Sequence, residues 1–125
     1  RCSIVALQEV PQEEVSSYGV IAGESLRDGI CRVDEMVEKP DPKDAPSNLA
    51  IIGRYILTPD IFEILEETPP GANGEIQLTD ALQTQATKNM VLAYRFKGRR
   101  FDCGSIDGYV EATNYCYEKF HDPSE

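Results

Sequence analysis

Glu38, Lys39 and Asp102 combine reactive side chains with positions where those side chains could act. The first two stand in Met36-Val37-Glu38-Lys39-Pro40, where an apolar pattern (Cys31, Val33, Met36, Val37) ends in an acid, a base and a proline. Proline has no N–H and cannot continue a central ladder, so a strand should stop near Lys39. That leaves a carboxylate and an ammonium at a strand end, where open α/β sheets hold ligands. The carboxylate suits the vicinal hydroxyls of a sugar and the ammonium suits a phosphate. Strict alternation would send the two side chains to opposite faces, so a shared site requires the chain to twist or bend here. The plainer alternative is an exposed Glu-Lys pair ending an edge strand, worth little to stability.

Asp102 lies between Phe101 and the small Cys103-Gly104 pair, just before a helical pattern. It reads either as a cap or turn acid or as a hard oxygen ligand for Mg²⁺, which commonly takes one or two carboxylates plus substrate phosphates. In the second case Lys39 and Asp102 would frame a phosphoryl group, one as a point charge and one through the metal. Arg54, Lys97, Arg99 and Arg100 are further cations, but spacing singles out none of them. A glycine-rich strand-to-helix turn able to grip a nucleotide is missing. Gly71-Ala72-Asn73-Gly74 follows the Pro69-Pro70 loop rather than a strand, so it is rejected as a phosphate cradle.

Composition narrows the setting. At 125 residues the chain is one domain or part of one, with ordinary hydrophobic (41%) and charged (27%) content for a globular protein. Its net charge of −10 argues against nucleic acid or an anionic membrane as partner. Any phosphorylated ligand then needs local cations or a metal against the global field. No apolar run approaches the roughly 20 residues of a membrane span, and no signal peptide is visible. Cys2, Cys31, Cys103 and Cys116 form no Cys-x-x-Cys pair, and His121 is the one histidine. A zinc site and a Cys-His or Ser-His-Asp hydrolase are therefore disfavoured. The four thiols fit a reduced, cytoplasmic protein with buried or semi-buried cysteines.

The elements that must position these residues follow from periodicity. Ser3-Ile4-Val5-Ala6-Leu7 reads as a buried strand and Gln12-Glu13-Glu14 as a single turn. The chain begins almost inside this strand without an initiating methionine, which suggests sequence upstream. Tyr18 to Ala22 is a second strand, whose Gly19 marks a bulge, a twist point or a place where a ligand approaches the backbone. Arg27-Asp28-Gly29 turns it into the strand ending at Glu38, making a hairpin of residues 18–39. A proline-rich loop precedes a long strand over residues 47–57, in which Gly53 leaves space beside the backbone. Thr58-Pro59-Asp60 starts a short helix with Thr58 as N-cap and a stripe of Ile61, Phe62 and Leu65. A second helix follows Gly74, with Glu75 near its start as a capping acid and a stripe of Leu78, Ala81, Leu82 and Ala86. Met90 to Phe96 alternates as a strand. Ser105 caps a last helix whose Ile106, Tyr109, Val110, Thr113, Tyr117 and Phe120 predict a core or interface face, and Asp122 to Glu125 should fray. Strands and helices in this mixed order predict an α/β domain with a mixed sheet.

Read together, the motifs carry a resemblance. Tyr18-Gly19-Val20, Val37-Glu38-Lys39-Pro40, Ser47 to Tyr55, Pro69-Pro70-Gly71-Ala72, Gly74-Glu75-Ile76-Gln77-Leu78-Thr79-Asp80 and Phe101-Asp102-Cys103-Gly104 occur in one order and spacing. That pattern resembles the bacterial UTP–glucose-1-phosphate uridylyltransferases (UDP-glucose pyrophosphorylases) from about Ser3 to Phe120. Glu-Lys-Pro is shared across sugar nucleotidylyltransferases; the Gly-Glu-Ile-Gln-Leu-Thr-Asp and Asp-Cys-Gly elements favour the uridylyltransferase branch. The resemblance implies the C-terminal, sugar-phosphate-binding portion of a Rossmann-like nucleotidyltransferase fold, with the nucleotide loop and a second metal-binding aspartate upstream. It implies that the position of Gly19 approaches glucose through its backbone and that Glu38 binds sugar hydroxyls. Lys39 is expected on phosphate, Asp102 on Mg²⁺, and Asn48, Ile51 and Gly53 beside the sugar. Glucose 1-phosphate and UTP or UDP-glucose would be the ligands of a complete homo-oligomeric enzyme, the isolated portion being inactive. A related thymidylyltransferase, or a non-catalytic domain that binds a sugar phosphate or mediates assembly, are the competing readings.

Overall fold

The computed structural model describes residues 1–71, 74–88 and 90–121. The expected fraying of Asp122 to Glu125 and the middle of the Gly71–Gly74 segment lie outside the described residues. Five strands are present among those described: β1 (Ser3–Glu9), β2 (Gly19–Arg27), β3 (Ile30–Glu38), β4 (Leu49–Ile56) and β5 (Val91–Arg95). A 3-10 turn (Gln12–Ser17) separates β1 from β2, and the helices are α1 (Ile61–Glu67), α2 (Leu78–Ala86) and α3 (Ile106–Phe120). The mixed α/β character expected from the sequence is thus observed, and β2 and β3 form the expected hairpin.

The strand order β1-β4-β2-β3-β5 closes on itself. β1 and β5 run parallel, while the other four pairings are antiparallel. Closure depends on bends. β2 changes register against β3 between Ala22 and Gly23 and again between Ser25 and Arg27, and β1 changes register against β4 between Val5 and Leu7. Such irregularities kink a strand and increase its twist. A β-carbon on Gly23 would stand 1.9 Å from the Arg32 carbonyl oxygen, so the two strands meet at this bulge only because position 23 is glycine. The bulge that strand glycine announces is therefore at Gly23 rather than at Gly19.

The core follows the apolar stripes. Val5 and Leu7 of β1, Ile21, Val33, Met36, Ile51, Val91 and Ala93 pack against Ile61 of α1 and Ala81, Leu82 and Ala86 of α2. Each fully buried Val, Leu, Ile or Met side chain of this core contributes about 1.5–3 kcal/mol relative to exposure. Val10, Val15, Val20 and Ala50 form a second cluster under the 3-10 turn, so β2 is covered on both faces at Val20 and Ile21. α2 keeps the predicted stripe. α1 departs from its prediction: it begins at Ile61 with Asp60 as N-cap, and Phe62 is 70% exposed while Ile64 packs inward. α3 departs further. Ser105 caps it as expected, accepting the Gly108 N–H at 3.1 Å, yet none of its residues is buried and Phe120 is 72% exposed. No helix among the described residues is long and apolar enough to cross a membrane.

Thr58 is drawn away from capping by a polar network beneath α1. The Ser3 hydroxyl donates to Gln85 Oε1 at 2.7 Å, and Gln85 Nε2 donates to Thr58 Oγ1 and Asp60 Oδ2, both at 3.0 Å. Gln85 is fully buried, so these partners replace its water. Hydrogen bonds from Thr58 and then Gln85 hold the Asp60 carboxyl below its ordinary pKa. A carboxylate depressed in the folded state adds stability above its unfolded pKa of about 4 and loses it as pH falls through the lower folded value. In thermal melts below about pH 4, Asp60→Asn should therefore show a shallower decline of Tm than the parent. Parallel declines would mean that the network does not favour the ionised form.

Candidate functional site

β3 delivers Glu38 to the end of the sheet opposite Gly19, its cross-strand partner. The Lys39 N–H then closes the hairpin by donating to the Tyr18 carbonyl at 2.9 Å. Lys39 adopts φ 46°, the one positive φ among the described non-glycine residues. For an L-residue that conformation costs roughly 1–2 kcal/mol and is tolerated where surrounding structure enforces it. Here lies the bend that a shared Glu38–Lys39 site requires. Both residues line one hollow of about 410 Å³ with Met36, Val37, Gly71, Glu75, Gln77 and Asp80. Its size is that of a small-molecule pocket. The lining carries three carboxylates (Glu38, Glu75, Asp80) and a single ammonium, Lys39. Acceptors for hydroxyls therefore surround one point charge for a phosphate.

Gly19 has a steric role here. A β-carbon on it would stand 3.0 Å from Glu38 Oε2, 3.2 Å from Thr79 Oγ1 and 3.3 Å from Ile51 Cδ1. Gly19 and Ile51 thus meet at the Glu38 carboxylate, although neither is among the residues lining the hollow. Asn48 and Gly53 do not meet there. Asn48 lines a different hollow with Glu9, Cys31 and Arg95. Gly53, at φ 76°, sits in the stretch where β4 slips against β1, with open space where a β-carbon would be. β4 bends too sharply for its whole length to run beside one site, which alternation along a regular strand could not reveal.

Glu75, read as a capping acid, makes no side-chain cap to α2, whose N-cap is Gln77; it is among the residues lining the hollow instead. Asp102 is exposed and turns back on its own segment, its Oδ1 accepting the Gly104 N–H at 2.9 Å. It is not among the residues lining the Glu38–Lys39 hollow. The connection between them runs through Arg100. Arg100 Nη2 donates to the Tyr18 hydroxyl at 2.7 Å, Nε donates to Gln8 Oε1 at 3.3 Å, and the guanidinium lies 5.3 Å from the Tyr18 ring centroid. Tyr18 is the neighbour of Gly19, so the segment bearing Asp102 is tethered at the margin of the site. Among the described residues no three His, Cys, Asp or Glu side chains converge as a metal cage. Asp102, with Oδ2 outside the hydrogen bonds among those residues, fits one carboxylate ligand of a hard cation, which commonly takes one or two carboxylates plus substrate phosphates.

Sequence reasoning gave Thr79 and Tyr55 no role. Thr79 is buried in the first turn of α2 and donates from Oγ1 to Glu38 Oε2 at 2.6 Å. Burial raises the Tyr55 phenol pKa, and the nearby charge of Glu38 adds to the rise. Thr79 belongs to the Gly-Glu-Ile-Gln-Leu-Thr-Asp element, so its motif was visible although its partner was not.

A nucleotidyl transferase family profile matches residues 1–119. The UTP–glucose-1-phosphate uridylyltransferase of Pseudomonas aeruginosa strain PAO1 is 69% identical over 121 residues, covering 97% of this chain and 43% of that protein. A UDP-glucose pyrophosphorylase solved in complex with UDP-glucose superposes with a TM-score of 0.88 at 65% identity, covering 94% of this chain and 45% of that one. UTP-bound UGPase from Acinetobacter baumannii gives a TM-score of 0.76 at 38% identity, with 95% and 41% covered. The chain thus spans less than half the length of these relatives.

Proposed function

The chain belongs to the nucleotidyl transferase family, and on that premise we propose that it is the sugar-phosphate side of a UTP–glucose-1-phosphate uridylyltransferase. The observation that carries this reading is the left-handed Lys39, which lets a carboxylate and an ammonium that strand alternation would separate line one hollow. In this reading Glu38 accepts hydrogen bonds from glucose hydroxyls in the hollow, with Gly19 and Ile51 packed behind its carboxylate. Lys39 neutralises the phosphate. The nucleotide loop lies in the remainder of the complete polypeptide, and the 125 residues alone are inactive.

The reaction is in-line attack of a glucose 1-phosphate oxygen on the α-phosphorus of UTP. A new P–O bond forms as the bond to pyrophosphate breaks. The protein has little covalent work to do, so positioning and charge neutralisation supply most of the acceleration. Asp102 is the residue of this chain that would hold Mg²⁺, which supplies charge stabilisation at phosphate oxygens when bound. The four free thiols, two of them exposed at Cys103 and Cys116, favour a reducing, cytoplasmic setting. The unburied apolar face of α3 favours a homo-oligomer over a monomer.

The decisive assay uses the complete polypeptide with glucose 1-phosphate, Mg²⁺ and a panel of nucleoside triphosphates, following pyrophosphate release. Turnover with UTP well above that with dTTP is expected. Preference for dTTP would place the chain with the thymidylyltransferases, and assembly without any ligand response would leave only a structural domain. In the same assay Asp102→Asn should lower kcat by about 100-fold or more while glucose 1-phosphate binding persists. An unaltered kcat removes Asp102 from the metal site.

A further inference from the structure

We propose that Thr79 is a positioning residue that sets the Glu38 carboxylate for the sugar, and so gives the Gly-Glu-Ile-Gln-Leu-Thr-Asp element its place in the reaction. The inference rests on the reading of Glu38 as the sugar-binding acid. Its geometry is independent of that reading. Thr79 is 5% exposed, and its hydroxyl donates to Glu38 Oε2 at 2.6 Å. A hydroxyl this buried can find no water to replace a lost partner, and a hydrogen bond to a charged acceptor is stronger than a neutral one.

The surroundings leave the carboxylate little freedom. Gly19 brings bare backbone against Oε2, and a β-carbon there would crowd both Glu38 and Thr79. One turn further along α2, Gln83 grips the same strand, with Oε1 accepting the Met36 N–H and Nε2 donating to the Asp34 carbonyl at 3.4 Å. Positions 79 and 83 are four apart and share one helix face. α2 is therefore fastened to β3 by Gln83 at the backbone and by Thr79 at the side chain that meets the ligand. With one lone pair of Oε2 engaged by Thr79, Oε1 and the rest of the carboxylate's acceptor capacity are held in place for sugar hydroxyls. A freely rotating carboxylate would instead have to be ordered by each arriving sugar, which weakens binding without altering the phosphoryl chemistry.

The test compares Thr79→Val, which keeps shape and removes the donor, with Thr79→Ser, which keeps the donor, in the complete enzyme. Thr79→Val should raise KM for glucose 1-phosphate about tenfold, leave KM for UTP unchanged and keep kcat within about threefold. Thr79→Ser should stay within about threefold of the parent in every constant. In a Glu38→Ala background, Thr79→Val should add almost nothing, because the group it positions is gone. Thr79→Ala serves as the second variant if valine impairs folding, with the same expected split. Equal effects on both substrates, or a Thr79 effect that persists in Glu38→Ala, would show a merely structural role and overturn the proposal. A silent Thr79→Val beside a strong Glu38→Ala defect overturns this inference alone. An unchanged KM for glucose 1-phosphate in Glu38→Ala overturns the reading of Glu38 and this inference with it.

Discussion

Replacing Lys39 with alanine in the complete enzyme lowers kcat by about 10²–10³-fold, the usual consequence of removing one preorganised charge from a developing anion. Glu38→Gln acts elsewhere. It should raise KM for glucose 1-phosphate about tenfold with a much smaller loss in kcat, since sugar hydroxyls need an acceptor in ground and transition state alike. The comparison is clean because alanine, like lysine, carries a β-carbon and feels the same steric objection to φ 46°. Charge is removed while the backbone cost stays. Lys39→Gly separates the two further: it relieves the left-handed strain, yet should lose turnover as severely as alanine. Steady-state constants for both substrates decide the matter. Equal kcat losses with unchanged affinity in Lys39→Ala and Glu38→Gln would refute this division of labour.

Gly23→Ala has the largest expected effect on stability. The added methyl would meet the Arg32 carbonyl oxygen at 1.9 Å, and the Arg32 carbonyl carbon and Val33 Cα at 2.9 and 3.0 Å. All three are backbone atoms of β3, so no rotamer change can relieve the contact. The hairpin must open where its bulge bends the sheet towards closure. A loss of about 3 kcal/mol is expected, at the upper end of what one overpacked methyl costs. It should be measured as a shift in the urea midpoint at unchanged slope. Gly53→Ala is the control: its methyl meets nothing within 4 Å and only the positive φ opposes it, so the loss should be near 1 kcal/mol. Comparable losses at both positions would mean that the strands at Gly23 can part without penalty.

The hairpin over residues 18–39, the α2 stripe and the Ser105 cap were readable because each is local, set by period, turn chemistry or one side chain beside its own helix. For the converse reason the α3 aromatics could be set on one face but not divided between core and interface. Periodicity reports that a helix has an apolar face but not what covers it, and none of α3 is buried. Phe62 and Ile64 were exchanged because α1 starts at Ile61, after Thr58 is claimed by Ser3 and Gln85, residues far away in sequence.

The candidate site divides along the same line. The types and order of Glu38, Lys39 and Pro40 determined that a strand ends in an acid and a base, and alternation alone dictated that a bend was needed for them to cooperate. Folding decided that the bend exists, at Lys39, and that Thr79 of α2 meets Glu38 across 41 positions of chain. It also kept Ile51 beside Gly19 while carrying Asn48 and Gly53 elsewhere on a bulged β4. Sequence fixes which groups are available and which neighbours lie within one turn or one strand pair. Side chains brought together by sheet closure depend on the sum of all the bends, and no single stretch of residues encodes that sum.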